Sequence, residues 1–169
     1  RLGQRARPRP EQHQTAQHAA AAAHREGGQP VRPGDRFGRL DIGVNNAGIA
    51  ILGGDEEIPR EYWDRVIDVN LTGVWLCARA EARQMIAQDP TEGKIINTAS
   101  MSARIANCNA SYDASKAGIV HLTRTLAAEW GRFNINVNCF SPSYLLTPMH
   151  ASTPIEARQR IRELTPLGY

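Results

Sequence analysis

Cysteine is scarce in this 169-residue sequence, and long apolar runs are missing. The three cysteines, at positions 77, 108 and 139, form no CxxC pair and leave an odd thiol. This usage favours a reducing compartment, the cytoplasm by default, over a disulfide framework. No apolar run reaches the roughly 18 residues of a membrane-spanning helix, and no leader pattern is present, so neither a membrane span nor secretion is predicted.

The first 33 residues differ sharply in composition from the rest. Leu2 and Val31 are their only large aliphatic residues. Such a segment buries too little apolar area to offset the entropy of ordering its backbone, so we expect residues 1–33 to form a disordered arm. Its histidines fit no common zinc spacing, and no metal site is predicted.

The basic charge is also concentrated at this end. Residues 1–40 hold eight arginines against three acidic residues, whereas the remainder holds twelve basic against fourteen acidic residues. Nucleic-acid binding by the arm is not favoured, because it lacks lysine and interleaved aromatic residues.

From about residue 34 the sequence alternates short apolar strands with amphipathic helices, which is typical of an α/β domain with a parallel sheet. Ligands of open α/β sheets bind outside the carboxyl ends of the strands, so the polar turns that follow the strands form the candidate site. We expect strands at 40–45, 94–98 and 135–140, and helices at 60–88 (with a break or bend), 110–131 and 156–163.

Tyr112 and Lys116 lie four residues apart near the start of the predicted helix 110–131, so both project from the same face. A phenol titrates near pH ~10, so it acts as an acid or base near neutrality only beside a cation. At ~4 Å and an effective dielectric constant of ~20, the attraction is about 4 kcal/mol, roughly the three pK units required. The pair alone is weak evidence, because it is more often a packed ring beside a solvated amine.

Four motifs together resemble those of the short-chain dehydrogenase/reductase family. They are NNAG at 45–48, VNLTG with Asn70, NTASMS with Ser100, and YDASK at 112–116. Their order and approximate spacing match the family over about residues 34–169, and Ser100 precedes Tyr112 by twelve residues. SMS at 100–102, followed by the stretch from 111 to 130, is most similar to members that act on polyols and keto sugars, including the sorbose, arabinitol and gluconate enzymes.

The resemblance implies a Rossmann-like, doubly wound parallel sheet. It also implies the interconversion of a secondary alcohol and a ketone by hydride transfer with NAD or NADP. The expected partners are a small-molecule alcohol or ketone and further copies of the chain, which would pair through the helices 70–88 and 110–131.

The resemblance further implies a role for each site residue. Tyr112 would exchange a proton with the substrate oxygen, and Ser100 would stabilise charge on that oxygen. Lys116 would favour the ionised phenol and bind the nicotinamide ribose, while Asn70 would hold the helix bend and a relay water. The cofactor-binding residues would be Asn46, Ala47, Gly48, Tyr112, Lys116, Leu145 and Thr147.

Several of these residues have an alternative interpretation. Ser102 competes with Ser100, although it lies only ten residues before Tyr112. Asn46 and its neighbour Asn45 are also suited to turn geometry, and Asn70 to a simple bend. The three tryptophans are expected to be core or interface anchors rather than cofactor-stacking residues: Trp63, Trp75 and Trp130.

The sequence also departs from the family pattern. The motif TGxxxGxG, whose glycines let a helix approach the pyrophosphate, does not occur before NNAG. Ser143 and Ala103 stand where the family usually has glycine. We therefore expect an incomplete sheet, with residues 1–33 arising from a shifted reading frame or misplaced start. A catalytically inactive remnant that serves as an interaction protein is the alternative function.

Overall fold

A three-stranded parallel sheet forms the centre of the protein, with the strand order β1-β2-β3. The structure, a computed structural model, describes residues 38–51, 55–107, 109–145, 147 and 153–166. The predicted arm, residues 1–33, lies outside the described residues. The α/β class with a parallel sheet is confirmed. The strands are β1 (Ile42–Asn45), β2 (Gly93–Thr98) and β3 (Ile135–Phe140).

Helices connect the strands close to the predicted bounds. The segment before β2 consists of α1 (Arg60–Ile67), a π turn (Asp68–Thr72) and α2 (Gly73–Ala87). The π turn is the break that the sequence predicted in this helix. Helix α3 (Ala110–Trp130) joins β2 to β3, and α4 (Ile155–Leu164) follows β3. None of the helices in the described part is long and apolar enough to cross a membrane.

Local chemistry fixes both ends of α3. At its start, the Asn109 side-chain oxygen accepts a hydrogen bond from the backbone N–H of Tyr112 at 3.2 Å, which satisfies one of the free donors of the first turn. At its end, a 3₁₀ turn (Gly131–Phe133) leads to Asn134, whose φ of 57° lies in the left-handed region. Asn is one of the few residues that adopt this conformation readily, so the chain can reverse into β3.

The helices α2 and α3 pack on the same face of the sheet. Trp130 is buried there and confirms its expected role as a core anchor, whereas Trp63 and Trp75 keep about two fifths of their surface exposed. The opposite face of the sheet exposes Ile42 and Val44 of β1. The main core cluster combines residues of both helices with residues of β2 and β3: Ala78, Ala82, Met85, Ile95, Leu126, Trp130, Ile135 and Val137.

The packing of α2 on β2 depends on the absence of a side chain at Gly93. A Cβ built there would lie 2.2 Å from the sulfur of the fully buried Met85. We predict that Gly93→Ala lowers the free energy of unfolding by about 1 to 3 kcal/mol through overpacking, as measured by urea denaturation.

Gly131→Ala is the matched control, since a Cβ at Gly131 meets nothing within 4 Å. The backbone there is already helical, with φ near −55°. This variant should be neutral, or more stable by up to about 1 kcal/mol. Equal destabilisation by the two substitutions would show that Met85 does not constrain β2.

Candidate active site

The carboxyl ends of β1 and β2 lie beside the first turns of α3. The strands pair in register, with Asn45 of β1 opposite Asn97 of β2. After β1, Asn46 and Ala47 are exposed and Gly48 is half-buried. After β2, Ser100 begins a short 3₁₀ turn (Met101–Ala103), which packs against α3. The turns at 45–48 and 100–102 therefore lie at one edge of the sheet, as predicted.

Lys116 places a buried amine, with a lowered pKa, at this edge of the sheet. Its side chain is only 4% exposed, and its Nζ donates a hydrogen bond to the carbonyl oxygen of Thr98 at 2.9 Å. Burial lowers the pKa of the Lys116 amine from 10.5 to about 8. The amine therefore remains mostly protonated at neutral pH. A buried cation held by one strand-end carbonyl is suited to binding a further polar or anionic group.

The Tyr112 ring lies next to this cation. The Lys116 Nζ is 5.6 Å from the centroid of the ring, which confirms that the two residues share a face of α3. The ring is half-buried. The pair therefore differs from the alternative interpretation, in which the amine would be solvated.

The backbone of the NNAG segment passes directly beside the amine. A Cβ built on Gly48 would lie 3.4 Å from the Lys116 Nζ and 3.5 Å from the Asn70 Oδ1. A larger side chain at 48 would occupy the space in front of both groups. Gly48, Asn70 and Lys116, which come from three separate parts of the sequence, are thus brought together.

Asn70 lies in the π turn and is fully buried. Its Oδ1 accepts a hydrogen bond from the Ile49 N–H at 2.8 Å, and its Nδ2 donates to the Ile49 carbonyl at 2.9 Å and to the Ser115 hydroxyl at 3.1 Å. The Ser115 hydroxyl in turn donates to the Tyr112 carbonyl at 2.7 Å. Asn70 therefore joins the loop after β1 to α3. A π turn inside a helix is frequently found at a functional site.

Ser100 is buried, and its hydroxyl oxygen caps the turn that follows it. This oxygen accepts a hydrogen bond from the Ser102 backbone N–H at 3.2 Å. A hydroxyl that accepts one bond still has its proton to donate, so the Ser100 O–H can point to a substrate oxygen. Ser102 is buried in the same turn. The Met101 N–H donates to the Pro142 carbonyl at 3.0 Å, which connects this turn to the segment after β3.

A buried polar bridge crosses the sheet below the site. The Asn45 amide donates to Glu81 of α2 at 3.1 Å and to Asn97 at 3.0 Å, and the Asn97 amide donates to Thr123 of α3 at 3.0 Å. Burial raises the pKa of the Glu81 carboxyl, and the hydrogen bond from Asn45 opposes this. Gly43 leaves room for the carboxylate, since a Cβ there would lie within 2.6 Å of its atoms.

Two predicted cofactor residues lie after β3. Leu145 and Thr147 are both exposed. Their contacts with a cofactor remain predictions. Ser143 places its hydroxyl 3.2 Å from the Met101 sulfur.

Sequence reasoning missed Ser115, Asn109 and the Asn97 bridge. Asn109 was detectable, because an asparagine directly before an apolar helical pattern is a preferred N-cap. The partners of Ser115 and Asn97 lie on other elements, so no local pattern reveals them. The described residues contain no group of three or more His, Cys, Asp or Glu side chains that could hold a metal.

Comparison with known proteins shows the family directly. A family model described as short chain dehydrogenase matches residues 31–157. A galactitol 2-dehydrogenase of Rhizobium johnstonii is 41% identical over 148 residues, which is 85% of this chain and 52% of that protein. An NAD-dependent glycerol dehydrogenase of Listeria innocua is 45% identical over 114 residues, 67% of this chain and 44% of that protein.

A solved structure is similar as well. A gluconate 5-dehydrogenase from Burkholderia cenocepacia, in complex with NADP and tartrate, has a TM-score of 0.75 and 34% identity, and the match covers 80% of this chain and 53% of that one. The Rossmann-like fold is therefore confirmed. The chain belongs to the short-chain dehydrogenase family, and it spans about half the length of the curated relatives it matches.

The buried amine predicts a pH-dependent stability. Below pH 8 both the folded and the unfolded chain hold the Lys116 proton, and the fold carries the full penalty of burying the charge. Between pH 8 and 10.5 the unfolded chain binds more protons, so the free energy of unfolding rises with pH. Relative to Lys116→Met, the wild type should gain roughly 1 to 3 kcal/mol across this window in urea denaturation.

Lys94→Met supplies the control, since Lys94 is exposed on β2 and is the only other lysine in the sequence. It should leave the pH dependence of the wild type unchanged. A constant difference between the wild type and Lys116→Met from pH 7 to 10.5 would contradict the burial of a charged amine.

Proposed function

We propose that this chain carries the catalytic half of an oxidoreductase that interconverts a secondary alcohol of a polyol or sugar and the corresponding ketone. The observation that carries the proposal is the buried Lys116 ammonium beside the Tyr112 ring and the Gly48 backbone. The substrate class is supported by relatives named for galactitol, glycerol, threitol and sorbose.

The site fits one end of a nicotinamide cofactor, NAD or NADP. The Lys116 amine can donate to ribose hydroxyls, and the segment 46–48, which is exposed at Asn46 and Ala47 and half-buried at Gly48, forms a strip beside it. The sequence has no TGxxxGxG stretch for the pyrophosphate end. When bound, the cofactor supplies hydride acceptance or donation at the alcohol carbon. NAD is named for the glycerol dehydrogenase and NADP for the gluconate 5-dehydrogenase structure, which leaves the preference open.

Proton transfer is assigned to the side chains of α3 and the β2 turn. The Tyr112 phenolate accepts the alcohol proton as the ketone forms, and the neutral phenol returns that proton to the oxygen in the reverse direction. The Ser100 O–H donates to the same oxygen and stabilises its developing charge. The Lys116 ammonium, protonated at neutral pH, stabilises the phenolate.

Asn70 is proposed to anchor a water that relays the proton from Lys116. Both N–H groups of its amide are already used, by Ile49 and by Ser115, and the Ile49 N–H occupies one lone pair of the oxygen. One lone pair of Oδ1 remains for a water. This oxygen lies next to the Gly48 backbone, where the Lys116 amine also lies.

Homo-oligomerisation is proposed through the helices 70–88 and 110–131. Trp75 and Leu76 support it, because they expose 39% and 45% of their surface on α2.

The cytoplasmic location remains a prediction from cysteine usage, and Cys77 and Cys139 are free thiols. The names of these relatives describe dehydrogenases or reductases, which gives no support to an inactive remnant.

Substitution of Tyr112 tests the proton-transfer assignment. Tyr112→Phe should lower turnover by about 100-fold or more, because general acid–base catalysis supplies at least that factor, while NADH affinity changes little. Turnover is followed by the absorbance of the reduced nicotinamide, and affinity by its fluorescence. Retained turnover in this variant would refute the role of Tyr112.

The two serines give a second, separate test. Ser100→Ala should lower kcat by about 100-fold, as the loss of one donor to a developing oxyanion does. Ser102→Ala should stay within about tenfold of the wild type, because its backbone N–H, which donates to the Ser100 hydroxyl oxygen, is kept. The reverse order of the two effects would transfer the role to Ser102.

Cofactor and substrate class are tested together in the purified protein. NADH or NADPH should bind, with enhanced nicotinamide fluorescence, and galactitol, threitol or gluconate should be oxidised faster than 2-propanol. If neither dinucleotide binds at millimolar concentration while circular dichroism shows a folded α/β protein, the proposed activity of this chain is wrong.

A further inference from the structure

Asn109 connects the backbone of Tyr112 to the loop that follows β1. Its side chain is 5% exposed. Its Oδ1 accepts a hydrogen bond from the Tyr112 N–H at 3.2 Å, and its Nδ2 donates to the carbonyl of Ile51 at 2.9 Å. One carboxamide therefore contacts both the residue assigned to proton transfer and the segment that continues from NNAG.

The same loop is held a second time, two residues earlier. Asn70 bonds both the N–H and the carbonyl of Ile49, so residues 49 and 51 are each fixed by a buried carboxamide. Asn70 reaches α3 through Ser115, whereas Asn109 reaches it directly at the Tyr112 N–H. Together these contacts hold Gly48 and Tyr112 at a fixed separation.

A second side chain, Asp55, also binds the start of α3, but its hydrogen bonds there do not involve Ile51. The Asp55 carboxylate accepts hydrogen bonds from the Ala110 N–H at 3.0 and 3.2 Å. Asp55 therefore satisfies a free donor at the helix start. The amide N–H of Asn109 goes beyond this capping function, since a cap needs only an acceptor.

We propose that Asn109 is a positioning residue, which sets the distance between the Tyr112 hydroxyl and the cofactor strip at residues 46–48 through its hydrogen bond to Ile51. The inference rests on the proposed function. A displacement of a catalytic group by about 1 Å lowers the rate by up to about 100-fold. Loss of the bond to Ile51 should therefore lower kcat more than it raises KM.

Asn109→Asp separates positioning from helix capping. The carboxylate still accepts from the Tyr112 N–H, so the helix cap is kept. Because its charge is buried beside the Ile51 carbonyl, the thermal midpoint should fall, and kcat is measured well below that midpoint. The carboxylate cannot donate to the Ile51 carbonyl. We expect kcat to fall about 10- to 100-fold, with less than a threefold change in KM for the alcohol.

Two further variants control for charge. Asn109→Ser is neutral, can still cap the helix, and is shorter than Asn109, so it should lose turnover as Asn109→Asp does. Asn107→Asp makes the same chemical change two residues earlier, at an exposed position, and should keep kcat within about twofold of the wild type. Loss of turnover in Asn109→Asp alone would identify a charge effect and overturn the proposal.

Hydrogen–deuterium exchange gives a readout that does not need turnover. Uptake by peptides covering residues 46–51 should rise in both Asn109 variants and stay at the wild-type level in Asn107→Asp. If the wild type shows no alcohol oxidation but deuterium uptake rises in both Asn109 variants, the contact between Asn109 and Ile51 is supported and the proposed function fails. If the wild type is active and both Asn109 variants equal it in kcat and in uptake, the proposed function stands and the role of Asn109 is refuted.

Discussion

A buried ammonium group must find its hydrogen bonds inside the protein, and this requirement governs the arrangement of the site. The Lys116 amine meets it at the carbonyl of Thr98, where β2 ends. That contact fixes the first turns of α3 against the sheet edge. Gly48 can then approach both the amine and Asn70, because no side chain intervenes. The location of the phenol follows from these contacts, since it lies one helical turn before the lysine.

Asparagine supplies most of the other polar contacts around this centre. A carboxamide is neutral, so its burial is less unfavourable than that of a charge, and it both donates and accepts. Asn70 and Asn109 bond backbone groups of the loop after β1, while Asn45 and Asn97 bond side chains across the sheet. Separate elements are thus joined largely through neutral amides, and Lys116 is the one charged residue in the buried class within the described part of the chain.

The sequence was sufficient to locate the elements but not their tertiary contacts. Strand and helix bounds follow from apolar periodicity, which is local, and the bend around Asn70 appeared as a break in that periodicity. The contact of Asn70 with Ile49 could not be predicted, because it joins residues 21 apart through backbone groups of any residue type. Trp63 and Trp75 show the limit of hydrophobicity as a guide to burial, since both are large and remain partly exposed.

The sequence contains only two lysines, one exposed on β2 and one buried beneath the loop after β1. Their side chains therefore differ in access to acylating reagents. In the native state such a reagent should modify Lys94 and leave Lys116 intact, and acylation of Lys116 should require local opening of α3 or of the loop above it. The extent of modification at that one side chain, read by mass spectrometry, would report how often the site opens.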